Sequence, residues 1–483
     1  VIMNKSYRKT ENRAQFSLFI DHLDQHISDT NPVRAIDAYI DTLNFDQLAV
    51  GVYKSSSSLR GQPAYNPADL LRLYLYGYLN GIRSSRKLEK ECRRNIELMW
   101  LIKHQHPSYK TIANFRKDHH KLLIRVNRDF ILLCKQLDLV GGELIAIDGS
   151  FFHGNASKQS ILTKNRLTQQ LKAVEQKIQD YHTMLDALDN EESEADNLDS
   201  IKLQELMNKQ ANLNQVLNEL TQSDTGQLSR TDPDARLLFK RGAKIAGYNI
   251  QTAVDDRHHL IIASDVTNEG NDQKQLYPMA KRSKTTLGLD KLTVLADAGY
   301  YETTNLHLCA ENQITPYVPI PNKSASIKEQ DRFTREHFLY DISNNCYSCP
   351  NEKLLTPSGS LTSKHNKKRQ LYISNSKDCR SCFKKDQCLA QGTTRRKLYR
   401  SEYESVVDEH KRRMEFYGKG KMQQRGALVE HPFGTLKMRA GWQHFLVRGF
   451  KKVKGEWSLM NLAYNFTRVL NIIGMKGFKA YCQ

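Results

Sequence analysis

The sequence lacks any run of 18 or more apolar residues, and so it lacks a segment suited to a membrane-spanning helix. Its first residues, VIMNKSYRKTENRAQ, are polar and unlike a secretory signal. Acidic residues do not balance the basic ones, since 53 Asp and Glu stand against 72 Lys and Arg. A hydrophobic content of 39%, with 22 Tyr and 17 Phe, excludes global disorder. We expect a soluble cytoplasmic protein of roughly two to four domains, with no membrane or small-molecule partner.

Two apolar, strand-like runs each end at an aspartate. The run Leu144–Ile147 precedes Asp148, and the run LTVLA precedes Asp297. An isolated aspartate after a strand is commonly a turn residue or a helix cap. Two such aspartates in a chain with a formal charge of +19 indicate divalent metal ions held against a phosphodiester. The pattern therefore predicts an enzyme that acts on nucleic acid.

A third carboxylate follows in the helix-like segment RGALVEHPFGTLKMRAG. Glu430 is the only acidic residue between 425 and 445, and Lys437, seven residues on, shares its helical face. Arg425 lies five residues before Glu430. Two aspartates on neighbouring strands and a glutamate on a packed helix can bind two Mg²⁺ ions roughly 3.5–4 Å apart. A basic residue on the same face can then hold the adjacent phosphate.

The segments IAIDGS, LADAGYY and VEHPFGTLK resemble the three acidic blocks of bacterial insertion-sequence transposases of the DDE class. Among these the chain is most similar to the group numbered eleven eighty-two, a relative of the group numbered four. The resemblance implies an RNase H-like core in which Asp148, Asp297 and Glu430 are catalytic and bind two Mg²⁺ ions, with Mn²⁺ as a substitute. It also implies double-stranded DNA as the partner, a homodimer on DNA, and a location at the bacterial nucleoid.

The related four-numbered group has a Tyr, Arg, Glu, Lys signature, with three residues between Arg and Glu and six between Glu and Lys. Glu430 and Lys437 fit this spacing, whereas Arg425 is one position too far away because Gly426 occupies the expected place. We expect Lys437, and less directly Arg425, to position the phosphate near the cut.

Basic residues are concentrated around the third acid. Between Arg395 and Lys454 there are 16 basic and 6 acidic residues, a local charge of +10. A basic run alone is usually a solvated surface, but beside a metal carboxylate it indicates a phosphate track whose affinity falls steeply with salt. The predicted DNA-binding residues of this track are Lys451, Lys452 and Lys454.

Residues 1–140 are predicted to form a helical DNA-binding domain of the helix-turn-helix type. Helical spacing links Phe16 to Ile27, a further helix begins at the Asn66-Pro67 pair, and the next opens at Ser84 or Ser85. Short helices that carry several arginines suit a DNA reader. A plain helical bundle with a basic surface is the alternative. The arginines and lysine in question are Arg60, Arg83, Arg86, Lys87, Arg93 and Arg94.

The fold class is therefore α/β and multidomain, with a core over 141–324 plus 396–475. Its predicted elements follow the RNase H-like βββαβα order, in which the first and fourth strands are neighbours. Two insertions account for the long separations between the acids: a helical hairpin over 160–228 and a Cys-rich segment over 325–395. The predicted strands lie at 143–148, 248–255, 259–266, 292–297 and near 315–319, and the helices at 271–283, 303–312 and 421–438.

The Cys-rich segment contains five of the nine cysteines, and we predict that it binds structural Zn²⁺. Two C-x-x-C pairs separated by 29 residues can close a tetrahedral zinc site, and a cytosolic setting disfavours disulfides. Cys388 follows six residues after the second pair and is an alternative ligand. The predicted ligands are Cys346, Cys349, Cys379 and Cys382.

The favoured function is that of a DDE transposase that binds element ends, cleaves DNA, and joins the freed 3′-hydroxyl to target DNA. Two alternatives remain at this point: a sequence-specific DNA-binding protein with an inactive core, and an RNase H-like nuclease that cuts without joining. Intact acids argue against the first. The N-terminal domain and the two insertions favour transposition over the second.

Overall fold

The computed structural model describes residues 22–48, 64–188, 196–222, 226–240, 242–321, 333–364 and 367–482. The predicted helical residues around Phe16, and Arg60, lie outside these ranges. The chain forms two compact units, Val1–Asn127 with Gly455–Gln483, and Arg128–Lys454. None of the described helices is long and apolar enough to cross a membrane.

The first unit is helical, as predicted. Asn66 accepts a hydrogen bond from the Ala68 amide, and Ser84 accepts one from the Lys87 amide, so both predicted helix starts carry a side-chain cap. The final helix adds its segment from Gly455 on to this unit, whereas the sequence assigned it to the core. The helices are α1 (Pro32–Asp41), α2 (Phe45–Leu48), α3 (Pro67–Leu79), α4 (Ser85–Glu91), α5 (Ile96–Leu101), α6 (Tyr109–Asp118), α7 (His120–Gln136) and the final helix Phe450–Cys482.

One of the arginines predicted to read DNA is instead part of the interior of this unit. Arg83 donates to Glu456 at 3.0 Å, and the Glu456 carboxylate also accepts from the Tyr78 hydroxyl at 3.1 Å. Arg116 lies 3.6 Å from the same carboxylate. Glu456 is fully buried, so its charge needs these partners. Arg83 therefore stabilises the helical unit and is not available for a DNA groove.

The second unit contains a mixed six-stranded sheet in the order β4-β5-β1-β7-β8, with β6 also paired to β5. Strand β1 runs parallel to β7 and antiparallel to β5. The helices that follow its strands are α10 (Leu276–Leu287), α11 (Thr303–Glu311) and the helix Glu404–Gly434. The strands are β1 (Leu144–His153), β4 (Arg236–Lys240), β5 (Ala243–Asp255), β6 (Ile261–Thr267), β7 (Leu292–Leu295) and β8 (Ile314–Tyr317).

The order of the predicted core elements is observed, but several boundaries differ: β5 begins at Ala243, and α10 spans Leu276–Leu287 instead of 271–283. Strand β1 continues past Asp148 to His153, because Phe151 and Phe152 are themselves buried. The helix predicted from 421 begins at Glu404 and contains four glycines and Pro432 before a π-helical turn, Thr435–Arg439. Glycine and proline are read as helix breakers in a sequence, which is why the start was placed too late.

The first insertion is a pair of antiparallel helices, in agreement with the predicted hairpin. They are α8 (Lys164–Leu188) and α9 (Asp196–Gln222), and a short strand pair, β2 (Ile161–Thr163) with β3 (Gln227–Ser229), lies at their base. Leu167 packs against Val216 and Leu220. Farther along, the Gln210 amide donates to Glu175 at 3.5 Å. The apolar faces of the two predicted helices therefore pack against each other within one chain.

The second insertion folds as a five-stranded antiparallel sheet in the order β13-β12-β11-β10-β9, which the cysteine spacing did not predict. Its own core consists of aromatic and aliphatic residues. Two short helices, Ser376–Arg380 and Lys385–Cys388, connect β12 to β13. The strands are β9 (Leu339–Asp341), β10 (Cys346–Ser348), β11 (Leu354–Lys364), β12 (Lys367–Ser374) and β13 (Lys397–Ser401), and the core residues are Phe338, Tyr347, Leu355, Tyr372 and Leu398.

Candidate active site

Asp148 and Asp297 lie at the same level of two neighbouring strands. Ala146 on β1 pairs with Leu295 on β7 in a parallel register, and each aspartate follows two residues later. Parallel strands in register bring equivalent positions to the same edge of a sheet. The two predicted aspartates are therefore neighbours in space, although 149 residues separate them in the sequence.

The Arg425 guanidinium connects the two carboxylates. Its Nη2 lies 3.0 Å from an Asp148 oxygen and 3.7 Å from an Asp297 oxygen. The Asp148 and Arg425 side chains are largely buried, with 23% and 17% exposure. The arginine whose spacing departs from the four-numbered group's signature is thus the residue that contacts both predicted catalytic acids. The same contacts show that both aspartates are directed at one cation.

Asp297 also has the structural role that an aspartate after a strand commonly has. Its Oδ1 accepts a hydrogen bond from the Gly299 amide at 2.8 Å, and it caps the short 3₁₀ helix Ala298–Tyr300. The cap uses one carboxylate oxygen, while the other is the oxygen nearest Arg425. The turn therefore fixes the side chain in the direction of the site.

Asp272, an acidic residue that the sequence analysis did not identify, lies in a hydrogen-bond network packed against Gly149, the residue after Asp148. Asp272 accepts hydrogen bonds from Asn249 at 2.7 Å and from Gln251 at 2.6 Å. Both amides are fully buried on β5, the strand paired with β1. A Cβ atom at Gly149 would lie 2.5 Å from the Gln251 amide nitrogen and 2.7 Å from an Asp272 oxygen. The glycine after the first aspartate is therefore needed for close packing of this network.

Tyr300 closes the network on the side of the second aspartate. Its buried hydroxyl donates to the Gln251 side-chain oxygen. Burial raises the pKa of Tyr300 well above its ordinary value, and the negative charges of Asp272, Asp148 and Asp297 raise it further, while Arg425 opposes them. The hydroxyl thus stays protonated, and it joins the loop after β7 to the strand beside β1. The sequence signals for this network are Gly149, directly after the first aspartate, and the Gly-Tyr pair at 299–300.

Glu430 has a different environment from the two aspartates. Its neighbours Leu428 and Val429 pack on Ala146 and Leu295, which keeps the helix against the strands that carry the acids. Glu430 itself is exposed. Five helical residues correspond to a rotation of about 140°, so Glu430 and Arg425 point in different directions.

In the described part of the chain, no three His, Cys, Asp or Glu side chains are arranged to hold a metal ion.

Lys437 is bound to β1 just beyond Asp148. Its ammonium group donates to the Ser150 hydroxyl at 2.6 Å and to the Phe151 carbonyl at 2.7 Å. It also lies 4.4 Å from the centre of the Phe152 ring. The structure thus places Lys437 near the first aspartate, whereas the sequence related it only to Glu430.

The three lysines of the predicted basic track differ in their exposure and in their partners. Lys451 is exposed and Lys452 is half-buried. Lys454 lies 2.7 Å from an oxygen of Asp265, and that carboxylate also pairs with Arg282 at 2.8 Å. A lysine held by an acid of its own chain contributes less to phosphate binding, so Lys454 differs from the other two.

The predicted zinc ligands are not all brought together. Cys349, Cys379, Cys382 and the alternative ligand Cys388 line one small cavity in the second insertion. Cys346 is buried in β10 and does not line that cavity. The two C-x-x-C pairs of the sequence therefore do not face each other as complete pairs.

The chain is similar to transposases in two of its parts. Residues 21–118 match a family described as Transposase domain (DUF772), and residues 222–466 match the family described as Transposase DDE domain. The second match covers half of the chain and includes Asp297 and Glu430, but it begins after Asp148. No curated protein matches the chain. Among solved structures, the chain is similar to a piggyBac transposase synaptic complex with hairpin DNA, with a TM-score of 0.34 and 11% identity over 94% of this chain and 78% of that one.

Proposed function

Because the chain belongs to the Transposase DDE domain family and is thus an enzyme that acts on DNA, we propose that it mobilises an insertion sequence of the group numbered eleven eighty-two. It would bind the element's ends as a homodimer, cut the DNA there, and join the freed 3′-hydroxyl to target DNA. The helical unit, whose residues 21–118 match a transposase domain, would bind the ends.

The observation that supports this proposal best is the convergence of Asp148 and Asp297 on the single cation of Arg425. Two carboxylates directed at one positive charge also offer the oxygen ligands that Mg²⁺ prefers. Bound divalent ions would supply the activation of an attacking oxygen and the neutralisation of charge on the phosphate. The residues that would hold them are Asp148 and Asp297, with Glu430 as the third carboxylate.

The remaining residues have roles that follow from their contacts. Arg425 pairs with both aspartates, and its guanidinium would bind the phosphate that lies beside them. Lys437 would bind the phosphate from its position next to Ser150, two residues beyond Asp148. Asp272, Gln251 and Tyr300 position the segment that carries Asp148 and do not contact DNA themselves.

Charge-removing variants of the three acids test the proposal. Asp148→Asn, Asp297→Asn and Glu430→Gln each remove a metal-binding charge but little volume. We expect each to lower cleavage of element ends by roughly a hundredfold or more, while affinity for those ends changes little. Asp290→Asn, at an exposed aspartate before β7, is the matched control and should cleave normally.

A readout apart from activity locates the metal. Iron(II) bound in place of Mg²⁺ produces local backbone cleavage, and we expect the fragments to end near Asp148 and Asp297. Loss of these fragments in the Asp148→Asn protein would support the ligand assignment. Normal DNA cleavage by any of the three variants would remove that residue from the site. Products that are cut but never joined to target DNA would identify a nuclease instead of a transposase.

A further inference from the structure

The second insertion contains a cavity of about 30 Å³ lined by four thiols. Cys349 follows β10, Cys379 and Cys382 lie in and just after the helix Ser376–Arg380, and Cys388 ends the helix Lys385–Cys388. Cys349 and Cys388 also pack against the hydrophobic core of the insertion. Four cysteines from three separate chain segments therefore meet in one small space.

The turn at Cys349 holds its sulfur with two backbone hydrogen bonds. The backbone amides of Asn351 and Lys353 point at its Sγ, at 3.4 and 3.3 Å. The turn is closed by a hydrogen bond from the Glu352 amide to the Cys349 carbonyl at 2.8 Å, and Glu352 has a positive φ of 56°. Two amide donors thus fix the position of the Cys349 sulfur at the cavity.

Hydrogen bonds to sulfur also link the other thiols to this turn. The Asn351 side-chain amide lies 3.6 Å from the Cys382 Sγ, so one residue contacts sulfurs from both halves of the cluster. The Ser374 hydroxyl lies 3.0 Å from the Cys379 Sγ. These contacts orient the thiols of Cys349, Cys379 and Cys382 with respect to one another.

The alternation of side chains along β10 determines which cysteine completes the set. Tyr347 points into the core of the insertion, and Cys349, two residues later, packs against the same core. Cys346 is one residue before Tyr347, so its side chain lies on the opposite face of the strand. Cys388 instead lines the cavity with the other three. The first C-x-x-C pair of the sequence thus contributes one thiol, and Cys388 supplies the fourth.

We propose that Cys349, Cys379, Cys382 and Cys388 bind one structural Zn²⁺ ion. Four thiolates are a common ligand set for structural zinc, whose tetrahedral geometry needs ligands from several directions. The described residues contain no ready-made group of three such ligands. The four thiols line one cavity of about 30 Å³ and would hold the ion there once their side chains turn toward it. Each thiol loses its proton, and no redox step is involved.

The surroundings of the cavity suit a site with net negative charge. Four thiolates and one Zn²⁺ ion carry a total charge of −2, and Lys353, Lys385 and Arg396 also line the cavity. Arg396 donates to the Cys388 carbonyl at 2.7 Å, which holds the end of that helix beside the site. The ion would join three chain segments of the insertion, as structural zinc does in small domains.

Metal analysis of the full-length protein, produced with zinc in the medium, tests the proposal. We expect close to one zinc ion per chain in the wild type and in Cys346→Ser, and loss of most of that zinc in Cys388→Ser. The two variants make the same chemical change, so they distinguish the cavity set from the two C-x-x-C pairs. Zinc retained by Cys388→Ser but lost by Cys346→Ser would overturn the ligand assignment. Wild-type protein without zinc would overturn the site.

A second measurement does not depend on the folding of a variant. Wild-type protein is alkylated with iodoacetamide before and after zinc is removed by a chelator, and each cysteine is followed by mass spectrometry. We expect Cys349, Cys379, Cys382 and Cys388 to gain reactivity together, while Cys346 changes little. Equal reactivity of the four thiols with and without chelator, or their recovery as disulfides from protein purified without reductant, would contradict zinc binding. The test is independent of transposition, because it uses no DNA.

Discussion

The Lys437 ammonium lies 2.6 Å from the hydroxyl of Ser150, two residues beyond Asp148 on the same strand. A second hydrogen bond, to the Phe151 carbonyl, and the face of the Phe152 ring restrict the lysine further. A lysine on a flexible stem is usually a mobile charge, but this one has a defined position before DNA binds. Its position relative to Asp148 makes it a candidate ligand of the phosphate that is cut.

Lys437→Ala should reduce cleavage by about a hundredfold, because a fixed positive charge next to the reacting phosphate is lost. Binding to element ends should fall only a few-fold, since one contact among many is removed. Gel-shift affinity and single-turnover cleavage measure the two effects separately. Lys451→Ala is the matched control and should show nearly normal cleavage. A Lys437→Ala protein that cleaves normally but binds weakly would place the lysine on the DNA path outside the active site.

Asp272→Asn should lower cleavage by roughly tenfold to a hundredfold, as expected for a residue that orients a metal ligand. The substitution places an amide opposite the amides of Asn249 and Gln251, which need an acceptor. Because the defect is in positioning, the Mg²⁺ concentration for half-maximal cleavage should rise as well. A variant that only loses stability would keep the wild-type Mg²⁺ dependence at low temperature.

Neutralising Lys451 and Lys452 together should flatten the slope of log affinity against log salt by about 1.8, if each binds one phosphate. Lys454→Ala should change that slope much less, because Asp265 already pairs with this lysine. Filter binding over a range of salt concentrations measures both slopes. Equal effects of all three lysines would show that the Asp265 ion pair opens when DNA binds.

His410 should make the stability of the protein depend on pH. It is fully buried, its Nε2 lies 2.8 Å from the Val318 carbonyl, and burial lowers its pKa below the ordinary value of 6.5. Below pH 6.5 the unfolded chain takes up a proton that the folded protein does not, so the free energy of unfolding falls as pH falls. One proton corresponds to a slope of at most about 1.4 kcal/mol per pH unit.

Urea denaturation at several pH values measures this dependence. His410→Gln should show a flatter slope below pH 6.5, whereas His106→Gln, at an exposed histidine, should behave as the wild type. An unchanged slope in His410→Gln would assign the acid sensitivity to other groups.

The sequence predicted those features of the fold that depend on local patterns. Side-chain caps at Asn66 and Ser84, the apolar runs of the strands, and the two helices of the hairpin all rest on neighbours within a few residues. The proximity of Asp148 and Asp297 was also predictable, because two similar apolar strands are each followed by an aspartate. Ala146 and Leu295 pair in a parallel register, so the two strands that precede the aspartates are neighbours in the sheet.

The remaining features depend on contacts between distant segments. Nothing near Asp272 in the sequence shows that its carboxylate accepts hydrogen bonds from two side-chain amides on β5. The position of those amides beside Gly149 depends on the register in which β5 pairs with β1. The choice of Cys388 over Cys346 likewise depends on which face of β10 is turned inward. Arg83 appeared to be a surface residue because its partner, Glu456, lies 373 residues away.

The second insertion is joined to the Glu404–Gly434 helix by more than chain connectivity. Strand β13 ends three residues before this helix. Arg335 pairs with Glu404 at 2.9 Å, and Arg400 pairs with Asp408 at 3.1 Å, so two arginines from the sheet of the insertion hold the first two helical turns. A helix resists twisting, and Arg425 lies about 30 Å along it from these anchors. An attempt to miniaturise the enzyme by excising the insertion would therefore remove both ion pairs from the start of the helix. The packing of Leu428 and Val429 on the strands would then set the angle at which Arg425 meets the two aspartates, without the anchors at the other end.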